Sequence, residues 1–191
     1  CVQIVNYRSG ARQDVPALTA TARDHGAYVL WDASHAVGSI DLRFDEWGVD
    51  IAVGCTYKYC NSGPGSPAWM YVRSDLHDTL RTPIDGWFGQ KDQFTMGPTF
   101  ERASGMRGFQ IASPSIVGLT AVEESMSIIA EAGMDRIEAK CAEGTSFMID
   151  LFDQWLGPLG FGLDTPRSAE HRGGHLSLTH PEAAKISVAM R

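Results

Sequence analysis

The sequence contains no apolar run approaching the ~18 residues needed to cross a bilayer. Its opening, Cys-Val-Gln-Ile-Val-Asn-Tyr, carries neither a basic start nor a small-residue cleavage site. Both absences lead us to expect a cytoplasmic protein with no membrane partner. Cysteine is scarce: Cys1, Cys55, Cys60 and Cys141 show no framework spacing, which fits reduced thiols better than disulfides, and the lone C-x4-C of Cys55 and Cys60 is too little for a metal site. Positive charge is also in short supply. Sixteen Lys and Arg against 23 Asp and Glu leave a net charge of −7, with no basic stripe to meet nucleic acid. No G-x-G-x-x-G, P-loop, internal repeat or low-complexity tract occurs. What is present, 43% hydrophobic and 20% charged residues over 191 positions, is the composition of a globular chain able to bury one core.

In chain order, Val2 to Val5 reads as a strand and Asn6 to Gly10 as the turn after it. Asp14 caps a helix with an early Pro16 and apolar positions at Val15, Leu18 and Ala22, which Gly26 ends. Tyr28 to Trp31 is a second strand, so the opening is a β-α-β unit, whose crossover is right-handed and whose strands are parallel. An α/β fold follows. Residues 36–48 lack periodicity, Val49 to Val53 reads as a buried strand, and Ala68 to Val72 as another. Residues 74–108, rich in Gly and Pro, form a long irregular segment of the functional or interfacial kind. Ser113 is the expected N-cap of a helix with Pro114 in its first position, running to about Ala132. A second helix is expected over Asp135 to Leu156, a strand over Leu176 to Thr179, and a helix over Glu182 to Met190. The expected division is 1–112 for a large domain, 113–156 for connecting helices, and 157–191 for the start of a small α+β domain.

The chemistry centres on Gly54-Cys-Thr-Tyr-Lys-Tyr-Cys-Asn-Ser-Gly-Pro-Gly65, which follows an apolar strand and ends in turn residues. Lys58 therefore belongs on a strand-end loop, where open α/β sheets place function. Val29 to His35 repeats the arrangement, an apolar strand delivering Asp32 and His35 at its carboxyl end.

Strand, Asp-x-x-His, strand and then Lys resembles the pyridoxal-phosphate (PLP) enzymes of the aspartate-aminotransferase fold, fold type I. The wording Trp-Asp-x-x-His-Ala-Val-Gly, Asp-Glu-Trp-Gly-Val-Asp and Gly-Cys-x-Tyr-Lys-Tyr-x-Asn-x-Gly-Pro-Gly resembles the kynureninase family in particular. That resemblance runs over nearly the whole chain and implies a large PLP domain with a mainly parallel sheet. Full members are roughly twice as long, so the chain is expected to be an interior fragment. The resemblance implies that Lys58 binds the cofactor aldehyde and that Asp32 holds the pyridine nitrogen protonated. It puts His35 at the ring or its 3′ oxygen, and Tyr57 at the phosphate. Trp87 and Ser113 are implied to reach the phosphate of a neighbouring subunit in a homodimer with a shared active site; relatives carry Asn or Thr at the position of Ser113. Gln3 stands where relatives carry a small hydroxyl residue near the cofactor.

The implied reaction is hydrolysis of L-kynurenine, or its 3-hydroxy form, to anthranilate, or 3-hydroxyanthranilate, and L-alanine in tryptophan catabolism. Two other readings compete. One is a class V aminotransferase or cysteine desulfurase of the same fold, although a desulfurase needs a reactive cysteine on a mobile loop and neither Cys55 nor Cys141 is so placed. The other is a non-catalytic dimerisation fragment. His171, His175 and His180 do not form a metal motif, because Gly173-Gly174 interrupts the helix that would align the first pair.

Overall fold

The computed structural model describes residues 1–191. Its main sheet holds four strands in the order β1 (Val2–Gln3), β2 (Leu30–Asp32), β3 (Ile51–Gly54) and β4 (Trp69–Val72). The first three are parallel and β4 returns antiparallel to β3. The expected α/β class and mainly parallel sheet are therefore present, with the strands shorter than their apolar runs. Helix α1 (Val15–Asp24) makes the crossover from β1 to β2. It starts where the sequence says it should: Asp14 Oδ1 accepts the amide of Ala17 at 3.0 Å, and Pro16 occupies the first turn, where an N–H would have no carbonyl. Its inner face meets the sheet through Thr19, whose Oγ1 accepts from the fully buried Trp31 Nε1 at 3.0 Å.

The core is one cluster: Ile4, Val5, Val15, Trp31, Ala33, Ala36, Ile40, Val49 and Ala52. Residues 36–48 run as turns, as expected, and Ile40 enters this cluster while Phe44 and Trp47 pack along its margin. Against the core lies a buried charge. Asp50, with a side chain 2% exposed, accepts from Arg73 at 2.6 Å and lies 3.4 Å from Arg23. Arg73 Nε also meets Asp75 at 2.6 Å. The pairing anchors the turn leaving β4 to the start of β3.

Helices α2 (Ile116–Ala132) and α3 (Met134–Leu151) follow, separated by Gly133 alone. The N-cap expectation is corrected here. Ser115, not Ser113, accepts the Gly118 amide at 3.2 Å, because a helix beginning at Ile116 leaves that amide without a carbonyl. Pro114 consequently lies outside the helix and Ser113 is exposed. Helix α3 continues into a single π-helical turn, Phe152–Leu156, so the expected end near Leu156 is met in looser form. Strands β5 (Gly162–Leu163) and β6 (Leu178–Thr179) pair antiparallel, and α4 (Ala183–Ala189) ends the described chain. β6 lies within the strand expected over Leu176 to Thr179; β5 was not expected, two residues being too short for a pattern.

Residues 167–175 form a strap between the small pair and the main sheet. Arg172, almost fully buried, donates to Thr145 Oγ1 at 2.8 Å, to Ser146 Oγ at 2.7 Å and to the Arg167 carbonyl, which fastens the strap to α3. Gly173 then donates its amide to the Gly10 carbonyl at 2.9 Å. No helix is long and apolar enough to cross a membrane.

Removing one member of a buried ion pair costs about 3–5 kcal/mol when the other charge cannot reach water. Asp50 cannot, and without Arg73 it keeps only the longer 3.4 Å contact to Arg23, whereas Arg73 is 26% exposed and keeps Asp75. Arg73→Met is therefore expected to lower unfolding free energy by about 3 kcal/mol, and Asp50→Asn by clearly less, in urea titrations. Equal losses would contradict the asymmetry.

Candidate active site

The parallel strands β1, β2 and β3 all deliver their carboxyl ends to one side, with Gln3 beside Asp32 and Asp32 beside Val53. Asp32 is pinned on both flanks: its carbonyl accepts the Ile4 amide at 2.9 Å, and the next residue, Ala33, donates to the Val53 carbonyl at 2.8 Å. Its side chain then accepts the Ser34 amide at 2.9 Å, turning the chain sharply after the strand. Ala36 and Val37 both donate to the Ala33 carbonyl, at 2.9 Å each, so His35 sits within a tight turn close to Asp32.

The Lys58 loop lies across this turn. Gly38 makes the approach possible: a Cβ there would stand 2.7 Å from the Tyr59 carbonyl carbon and 2.8 Å from its oxygen, and φ at Gly38 is +82°. A side chain would push the loop away. The loop is further fixed by Ser62 donating its amide to the Thr56 carbonyl at 3.1 Å, by Thr56 Oγ1 donating to the Pro67 carbonyl at 2.7 Å, and by a buried Ser62–Ser125 hydroxyl pair at 2.7 Å. Asn61 takes the left-handed conformation, φ 57°, that Asn tolerates better than most residues.

Lys58 is half-buried, and its amine has no ion pair and no hydrogen bond to the protein; it lies 5.5 Å from the centre of the Tyr57 ring. Its charge reaches both Asp32 and His35. At Asp32, burial is the largest influence and works to raise the pKa, but hydrogen bonds from Ser34, the positive field of Lys58 and that of His35 when it is protonated together outweigh it, and the carboxyl is held below its ordinary value. At His35, burial, then Lys58, then His175 push the pKa down against the pull of Asp32. An ionised carboxylate and a neutral imidazole are thus set around an amine with no carboxylate partner.

Of the residues expected at the site, Asp32, His35 and Lys58 are brought together, and Tyr57 adjoins them, 54% exposed. Trp87 and Ser113 are not drawn into this cluster within the chain. Trp87, 46% exposed, packs on Phe88 and Phe94 in the irregular segment, and Ser113 makes no side-chain hydrogen bond. Gln3 reaches the turn after β1, its Oε1 accepting the Tyr7 amide at 3.3 Å. Arg107 donates to Gln93 Oε1 at 2.9 Å and is used within the same irregular segment. A cleft of about 500 Å³ between the start of α1 and α3, edged by Arg12, Glu138 and His171, includes none of the clustered residues.

One residue beside the cluster, His175, has no place among the expected site residues. His175 packs on His35 with ring centres 5.5 Å apart, and both of its ring nitrogens are buried without a hydrogen-bond partner. The signal available in the sequence is the Gly173-Gly174 pair before it.

The aminotransferase class-V family matches residues 1–189. Among curated relatives, kynureninase from Pseudomonas fluorescens is 36% identical over 97% of this chain and 45% of its own length. Kynureninase from Bacillus thuringiensis subsp. konkukian (strain 97-27) is 39% identical over 98% of this chain and 44% of its own. The chain thus spans a little under half of the relatives it matches. Among solved structures, a cysteine desulfurase from Thermococcus onnurineus NA1 superposes with a TM-score of 0.79 at 21% identity, covering 98% of this chain and 46% of that one. A C-DES mutant with glycine covalently linked to its PLP cofactor superposes with a TM-score of 0.83 at 17% identity, covering 99% and 49%. At such identities the structures speak for the fold alone, which agrees with fold type I, whereas the family match runs through β1, β2, β3 and the Lys58 loop to within two residues of the end. The chain belongs to the class-V aminotransferase family.

Proposed function

We propose that the full-length protein is a PLP-dependent hydrolase that cleaves L-kynurenine, or its 3-hydroxy form, to anthranilate, or 3-hydroxyanthranilate, and L-alanine. The observation that carries this reading is the Lys58 amine, half-buried and free of any carboxylate partner, within electrostatic reach of Asp32 at the carboxyl ends of β2 and β3. Relatives named kynureninase, at 36% and 39% identity, support the substrate class.

The donor set fits PLP. Its aldehyde needs an amine that is not locked in an ion pair, which Lys58 offers. Its ring nitrogen needs a carboxylate that stays ionised, and Ser34 holds Asp32 in that form. Its 3′ oxygen is matched by His35, which is mainly neutral at pH 7 because its pKa lies below the ordinary value, and so offers one donor and one acceptor. Tyr57, at the exposed rim, is the phosphate donor within the chain. Bound PLP supplies an electron sink for carbanion chemistry at the substrate α-carbon. With PLP held there, Lys58 would be the base that moves the α-proton, and the tight turn holding Asp32 would keep the opposing charge fixed.

In this reading Trp87 and Ser113 serve the site of a second copy in a homodimer. Their exposure, and their lack of contact with the Lys58 cluster within one chain, support that placement. Residues 1–112 are then part of the cofactor-binding domain, 113–156 connecting helices, and 157–191 the beginning of the small domain. The thiols argue against the desulfurase alternative: burial pushes those of Cys60 and Cys141 up, opposite to what a nucleophile requires, and the Cys55 sulfur faces the Ser34 carbonyl at 3.8 Å.

Borohydride treatment of the PLP-loaded full-length protein, followed by peptide mapping, is expected to place the pyridoxyl label on Lys58; a label on Lys91 or Lys140 would overturn the assignment. Asp32→Asn is expected to retain that label while kynurenine turnover falls by about 10²-fold or more, the scale of a lost proton-handling group. Near wild-type turnover would remove Asp32 from the mechanism.

A further inference from the structure

His175 is the one histidine whose two ring nitrogens are both buried and unpartnered. Leaving such a group unsatisfied forfeits its hydration with nothing in return, so folded chains keep one only where something offsets the loss. Its neighbourhood is built to put it there. Gly173 leaves no room for a side chain, since a Cβ would lie 2.6 Å from Val5 Cγ1, and a Cβ on Gly174 would lie 3.1 Å from the Tyr59 ring. The strap therefore lies flat across the segment after β1 and against Tyr59 of the Lys58 loop, and delivers the next residue, His175, against His35. Arg172, one residue before the glycines, fixes the other end to α3.

We propose that His175 is a positioning residue of the site: wedged against His35 by the Gly173-Gly174 strap, it sets the orientation and protonation of His35, and its ring nitrogens pair with groups that become ordered when PLP binds. The proposal rests on His35 meeting the cofactor, as argued above. The charged and titratable groups facing His35 are Asp32 from its own turn, Lys58 from the loop after β3, and His175 from the strap. Asp32 favours the imidazolium, whereas Lys58 and His175 oppose it. Removing His175 therefore takes away one of two opposing fields and some of the burial, and both changes raise the His35 pKa.

The test uses full-length protein with ¹⁵N-labelled histidine, read by long-range ¹H–¹⁵N spectra of the rings. In the wild type, adding PLP is expected to shift the signals of both His35 and His175 while those of His25 and His180 stay. In PLP-free His175→Gln, the titration midpoint of His35 is expected to rise by roughly half a pH unit, and PLP affinity to fall about tenfold. His175→Phe, which keeps ring volume but no nitrogen, is expected to lose more affinity than His175→Gln. A residue that only fills space predicts the reverse order and, in His175→Phe, which keeps the burial, an unmoved His35 midpoint, whereas the proposal has that midpoint rise in His175→Phe as well. His175 signals unaffected by PLP in the wild type would overturn the proposal without any variant, so poor folding of a variant does not leave it open. The PLP reading fails separately, through the absence of a borohydride label on Lys58, while the His35–His175 coupling is measured in the protein before PLP is added.

Discussion

Everything in the site depends on how closely two stretches of backbone can approach. The turn after β2 and the loop after β3 touch at Gly38 and Tyr59, where the space for a Cβ is already taken by a carbonyl group. That contact sets how far Lys58 stands from Asp32 and His35, and hence the electrostatics of all three. The hydrogen bonds on either side of it are means of holding the approach once made: Ser34 onto Asp32, Thr56 onto Pro67, and Ser62 onto Ser125. The sheet register contributes the remaining coordinate, because Asp32 and Val53 are cross-strand partners.

Charge is used differently in the scaffold and in the site. In the scaffold each buried charge is answered: Asp50 by Arg73 and Arg23, and Arg172 by hydroxyls and carbonyls that satisfy its N–H groups without an anion. At the site the answer is withheld. Lys58 has no carboxylate against it, and the carboxylate within its field is turned toward the Ser34 amide. An ion pair in the scaffold is closed on itself, whereas an amine without an anion stays available to a ligand.

Much of this was legible in the sequence. The β-α-β opening, the Asp14 cap, the strand before Lys58 and the long α2 were read from apolar spacing and from Pro and Gly, because each depends on neighbours within a few residues. Asp32, His35 and Lys58 could be named since each follows directly from a strand end. The misreading at Ser113 shows the limit of local rules: Ser-Pro-Ser offers two capping hydroxyls, and which one caps is decided by where the helix settles. His175 shows a different limit. Its partner is 140 positions earlier in the chain, and no local period records a contact made through a strap; only the unusual Gly-Gly before it hinted that two surfaces meet there.

The strap has a mechanical consequence as well. Two successive glycines let it lie close against the chain after β1 and the Tyr59 ring, and Arg172 ties it to α3 through the hydroxyls of Thr145 and Ser146. A short link held at both ends, to α3 at Arg172 and to the Gly10 carbonyl at Gly173, works as a tie between the helix and the turn after β1. The distance from α3 to the two imidazole rings is thus spanned by four residues, Arg172 to His175, so the position of a helix that lies outside the Lys58 cluster is written directly into where the second ring stands.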